Sequence, residues 1–183
     1  MGQDNESHNA VELMEQAWGA RRENRLAEAH TNLVEAVSLC RQSGAQRELV
    51  LALRKLGHVE LDLGNNDAAR AVYEEAITIC RDEEDPLTLA HTVRHLGDVH
   101  RHAGRVEDAE ACYQEALELY RNHEQPPKLD LANAIRPIAI LKEDAGMIQE
   151  AKQLWEEARD LYRAVDVKDG VAECSDHLAR LDG

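Results

Sequence analysis

Phenylalanine is missing from this 183-residue chain, and aromatic residues of every kind make up only 3% of it. So few large rings argue against one big globular core; alanine and leucine supply most of the apolar surface, which suits close helix packing. No run approaches the roughly 20 apolar residues of a membrane span. The four cysteines, Cys40, Cys80, Cys112 and Cys174, form no CxxC pair, so their spacing points to neither a zinc site nor a disulfide framework. No signal peptide is evident, and Met1-Gly2 fails as a myristoylation start because position six is Glu6 and the serine falls at Ser7. A reducing, cytoplasmic setting is the expectation. Cations are outnumbered 21 to 36, a net charge of −15, which argues against nucleic acid or an anionic membrane as the main partner. Nucleophile elbow, phosphate loop and HExxH are all lacking, so we expect no catalytic residue, no cofactor, no resident metal and no enzyme.

What the chain does contain is a repeat. An alanine, a large residue four positions on and a second alanine three further recur as Ala29/Leu33/Ala36, Ala69/Tyr73/Ala76, Ala109/Tyr113/Ala116 and Ala151/Trp155/Ala158. The copies are offset by 40, 40 and 42 residues. A period of this size marks stacked supersecondary units, each leaning on its neighbours. Cys40 and Cys80 fall in one slot of successive copies and read as small buried filler.

Residues 1–8 are polar and aperiodic, and read as a flexible tail. From residue 9 the pattern predicts helix pairs 9–22 with 26–42, 46–63 with 66–82, 86–103 with 106–122, and 128–145 with 148–164. A last helix follows near 169–181. The repeats are then about 9–44, 45–84, 85–125 and 126–166, with a cap over 167–183, all in one domain spanning 9–183. Asn24, Gly64, Gly104 and Gly146 end the first helix of each pair, where a positive φ is needed. Asp85-Pro86 and Pro126-Pro127 punctuate the starts of the third and fourth pairs. Pro137, inside a predicted helix, removes the hydrogen bond to the Asn133 carbonyl and should kink it.

Leu56-Gly57, Gly64, Ala69, Tyr73, Ala76 and Leu96-Gly97, Gly104, Ala109, Tyr113, Ala116 resemble the tetratricopeptide repeat signature. The long period is similar to that of kinesin light chain repeats. The first copy departs most, with Ala17 in the glycine slot and Asn24 at the turn; the fourth has Ala139 in that slot. The resemblance implies an all-α fold, a right-handed α-solenoid of four helix pairs plus a C-terminal capping helix. It also implies a concave face lined by the first helices, and a non-enzymatic role in protein binding.

On those first helices, the slot three residues before the Gly57, Gly97 and Ala139 positions holds Arg54, Arg94 and Arg136. Stacked helices would set such rungs roughly 10 Å apart. Lys55, His58, His91, His95, Arg101 and His102 lie on the same face and complete the candidate groove. Guanidinium pairs readily with carboxylate, so an acidic or C-terminal peptide is the expected ligand. The groove does not reproduce the family's carboxylate clamp, whose asparagine slot here holds His58, Asp98 and Ile140. Asp62, Asp98, Glu143 and Asp144 offer a competing role, in which the arginines are neutralised internally and stiffen the array. Two other readings stay open: an oligomerisation unit that docks onto a second copy as a homodimer, and a metal- or anion-binding sensor built on His91, His95 and Arg94.

Overall fold

The computed structural model describes residues 2–182, with side chains from residue 8 onward. Among the described residues are nine helices and no strand. They are α1 (Gly2–Arg22), α2 (Leu26–Ser43), α3 (Gln46–Asp62), α4 (Asn66–Asp82), α5 (Pro86–His102), α6 (Val106–Arg121), α7 (Lys128–Asp144), α8 (Ile148–Ala164) and α9 (Lys168–Asp182). The predicted pairs are reproduced within two residues at nearly every end. The tail is the exception. Helix α1 already runs from Gly2, since nothing between residues 3 and 8 is a proline or glycine that would stop it; Met1 lies outside the described residues.

Each helix buries a narrow stripe. In α4 it is Ala69, Tyr73, Ala76, Ile77 and Cys80, the three- and four-residue spacing that keeps side chains on one helix face. Such a stripe is too slim to fold a hairpin alone, so packing on neighbours supplies the stability. The turns are built to one plan. Asn24, Gly64, Gly104 and Gly146 take φ of 59°, 79°, 72° and 72°, and the following amide reaches back across the turn in three of them. These bonds are Arg25 N–H to the Ala20 carbonyl at 2.8 Å, Asn65 to Glu60 at 2.8 Å and Met147 to Lys142 at 2.9 Å. Between pairs the same reversal uses Gly44, Glu84 and Asp166. Pro137 is buried inside α7 without ending it.

Two compact units divide the chain, one comprising Met1–Asp85 with Asp98–Gly104, the other Pro86–Gly97 with Arg105–Gly183. In the first unit α1 packs on α2, α2 on α3 and α3 on α4, and α1 also touches α3. Its core gathers Met14 and Ala17 from α1, Leu33 from α2, Leu53 and Val59 from α3, and Tyr73 from α4. Gly57 lies directly under the Tyr73 ring, the close approach expected of that slot. The buried carboxylate of Glu60 is satisfied on both oxygens, by His30 at 3.0 Å and by the Asn65 amide at 2.8 Å. That pair ties the end of α3 to α2 and to its own turn.

In the second unit α6 packs on α7, α7 on α8 and α8 on α9. Tyr113, Leu117, Tyr120, Ile135, Ile138, Trp155 and Tyr162 form its core. Helix α9 behaves as the expected cap. It buries Gly170, Cys174 and Leu178, with Gly170 against the Tyr162 ring, and His177 stacks on Trp155 with ring centroids 4.0 Å apart.

Candidate functional site

The first-helix face is described one unit at a time. In the first unit Arg54, Lys55 and His58 are half-buried on α3, because the other side of that helix carries the apolar stripe Leu49, Leu53, Leu56. Lys55 Nζ sits 4.5 Å from the centre of the Trp18 ring on α1, and the Arg21 guanidinium 4.7 Å from the same ring. Both are within cation–π range. Arg21 is itself forked onto Asp62, with Nε to Oδ2 at 2.5 Å and Nη2 to Oδ1 at 3.2 Å. The His58 ring meets Trp18 edge-on at 6.2 Å and Tyr73 at 6.1 Å. Burial pushes the Lys55 ammonium pKa down, the charges of Arg54 and Arg21 push it further, and Glu15 partly opposes them. Arg101 and His102 are exposed in the last turn of α5.

In the second unit His91, Arg94 and His95 are half-buried on α5. Arg94 Nη2 lies 2.7 Å from His95 Nε2, which lies 3.0 Å from His91 Nε2. Arginine can only donate, so His95 Nε2 accepts, and His91 donates from its own Nε2 into the same lone pair. The other nitrogen of His91 is 3.8 Å from Asp130 on α7. Among the described residues no group of three His, Cys, Asp or Glu side chains is placed to hold a metal ion.

Arg136, on α7, is engaged by the cap. Its Nε lies 2.8 Å from each oxygen of Glu173 and its Nη2 2.6 Å from Oε1. The Tyr162 hydroxyl donates to Asn133 Oδ1 at 2.8 Å. Burial carries the Tyr162 pKa up to about 12; Arg136 and Arg94 pull it down, Cys174 and Glu173 push it up, so all four side chains reach its neighbourhood. Further along, Glu143 accepts from Trp155 Nε1 at 3.1 Å and pairs with His177 at 2.6 Å. Burial would raise that carboxyl, but the hydrogen bonds from His177 and Trp155 and the charges of His177 and Arg180 outweigh it and hold the pKa below the usual value.

The structure brings two further side chains to these faces, Trp18 and Glu173, that the sequence reading did not name. Trp18 was passed over because the first copy is the most degenerate. Glu173 was passed over because α9 was read only as a cover. Arg54, Arg94 and Arg136 are each the ninth residue of their helices, a slot that falls on Asp176 in α9, so no register signal pointed to Glu173. Of the acids considered for neutralising the arginines, Asp62 pairs with Arg21, and Glu143 with Trp155 and His177.

Paired antiparallel helices repeating every 40 to 42 residues, with an aromatic ring seated on glycine, define an all-α repeat solenoid. A family model for the tetratricopeptide repeat matches residues 48–122 and again 87–164, and the chain belongs to that family. Membership makes it a protein–protein interaction module. A model for anaphase-promoting complex subunit 5 matches residues 1–60. No curated protein matches the chain. Among solved structures, aspartyl phosphate phosphatase F from Bacillus subtilis is similar with a TM-score of 0.84 at 14% identity, over 92% of this chain and 44% of that one. The apo form of RapI gives 0.80 at 12% identity, over 92% and 61%. The chain thus spans less than two thirds of either protein. The kinesin light chain-like repeat protein of Podosopora anserina gives 0.68 at 14% identity, over 94% of both chains. At these identities the likeness is one of fold.

Proposed function

We propose that the first-helix faces bind an acidic protein or peptide segment, without catalysis. The observation that carries this reading is the cationic slot repeated as Arg54, Arg94 and Arg136 on a chain of net charge −15, flanked by Lys55 and the His91/His95 pair. Cations recurring at one slot of the first helices, in a protein so acidic elsewhere, favour carboxylates over basic partners. The arginines are half-buried, which restricts their rotamers and preorganises them.

The test is binding of a short fluorescein-labelled Glu-rich peptide, followed by anisotropy in low and high salt, to the wild type, Arg54→Gln, Arg94→Gln and the double variant. Hydrogen bonds to charged groups contribute about 1.5–3 kcal/mol, so each variant should weaken binding roughly ten- to a hundredfold. Added salt should weaken the wild type too. Salt-insensitive binding, or equal affinity in the double variant, refutes the reading. The natural segment, its length and its register belong to the same proposal and follow from capturing what binds.

A further inference from the structure

We propose that the Arg136 rung is a carboxylate subsite of the second unit, kept occupied by Glu173 until an acidic ligand displaces it. The inference rests on the proposed binding of acidic segments and adds to it where a carboxylate sits and what controls access. Two observations carry it. The fork geometry comes first: Glu173 meets Arg136 through Nε and Nη2 at 2.6 to 2.8 Å, the two-pronged arrangement by which arginine recognises a carboxylate from any source. Exposure comes second. The two side chains keep 43% and 35% of their accessible surface, so the fork is open to exchange.

The same exposure decides the energetics. A half-exposed pair of this kind is weak, since water and salt screen it and both side chains lose rotamer freedom. An arriving acid that also draws on neighbouring contacts can therefore replace Glu173. The cap need not leave when that happens, because the Trp155–His177 stack, the Glu143–His177 pair and the Lys152–Asp182 pair at 2.6 Å hold α9 independently.

The experiment compares the wild type, Glu173→Gln, Arg136→Gln and the double variant, using the same labelled Glu-rich peptide and the intact chain. Glutamine keeps the size and loses the charge that competes, so Glu173→Gln should tighten binding by about two- to fivefold, the range set by a weak exposed pair. Adding Arg136→Gln should cancel that gain. If the wild type binds and Glu173→Gln binds no tighter, the gate is refuted while the acidic-ligand reading stands. A gain that survives loss of Arg136 also refutes it, because the peptide is then answering a loosened cap. If no form binds the peptide, both proposals fall together. Should Glu173→Gln melt early, Glu173→Asp provides the second arm: its shorter reach weakens the fork while retaining charge, and an intermediate gain in affinity is required.

Discussion

Gly19 and Gly57 both lie inside helices, on α1 and α3, and replacing each with alanine should move stability in opposite directions. Alanine favours a helix interior over glycine by about 1 kcal/mol, partly by restricting the unfolded chain, and that gain is common to both sites. The surroundings differ. A Cβ at Gly19 meets nothing within 4 Å, so the full gain of about 1 kcal/mol should appear. A Cβ at Gly57 would stand 2.5 Å and 2.6 Å from two carbons of the Tyr73 ring, well inside contact distance. That ring is fully buried and held in the α3–α4 interface, so it cannot swing aside as the tip of a flexible side chain would. Overpacking of this kind costs about 1–3 kcal/mol, and for an overlap with a fixed ring the upper part applies. Set against the propensity gain, Gly57→Ala should be destabilising by about 1–2 kcal/mol. Thermal unfolding followed by circular dichroism reads both. At this chain length about 1 kcal/mol corresponds to roughly 2–4 °C, so Gly19→Ala should melt a few degrees higher and Gly57→Ala several degrees lower. A Gly57→Ala protein as stable as the wild type would refute the claim that the glycine slot exists to admit the ring.

Three further outcomes follow from other parts of the molecule. Glu60→Ala leaves the His30 ring and the Asn65 amide without their shared carboxylate and should destabilise by about 1–3 kcal/mol in a denaturant titration; no change would mean the buried carboxylate contributes nothing. Because the Glu143 pKa is depressed in the folded protein, its contribution is present above the ordinary glutamate value of about 4.3 and disappears as pH falls through the lower folded value, so acid melts of Glu143→Gln should lose the wild type's fall in stability below about pH 4. Burial pushes the thiols of Cys112 and Cys174 up to about 11, so both should resist iodoacetamide in the native protein at about pH 8 and react on unfolding, as mass spectrometry would show.

Much of the architecture was readable because its signals are local. Helix ends follow from Asn24, Gly64, Gly104 and Gly146, and a buried stripe such as Ala69, Tyr73, Ala76 is spaced for one helix face whatever the neighbours are. Glu84 and Asp166 were not seen as left-handed turn residues, since neither has glycine's freedom; the chain imposes that conformation where pairs must join. The candidate site was legible as far as composition per slot could take it. What a slot touches depends on residues far along the chain. Arg136 meets an acid 37 positions away, and Lys55 and Trp18 lie equally far apart. No helical periodicity encodes such meetings, and they appeared only with the packing.

The turns have one more implication, for how such a chain can be cut and rejoined. At Ala45, Asp85 and Val167 the backbone amide reaches back to Cys40, Cys80 and Tyr162 at 3.1, 3.2 and 3.0 Å, so these three joints each close a backbone hydrogen bond within their own turn. A seam that is complete in itself leaves no orphaned donor when a hairpin is inserted or removed there. The only surfaces a transplanted pair must match are its two stacking faces, which makes these joints natural splice points for lengthening, shortening or recombining the array.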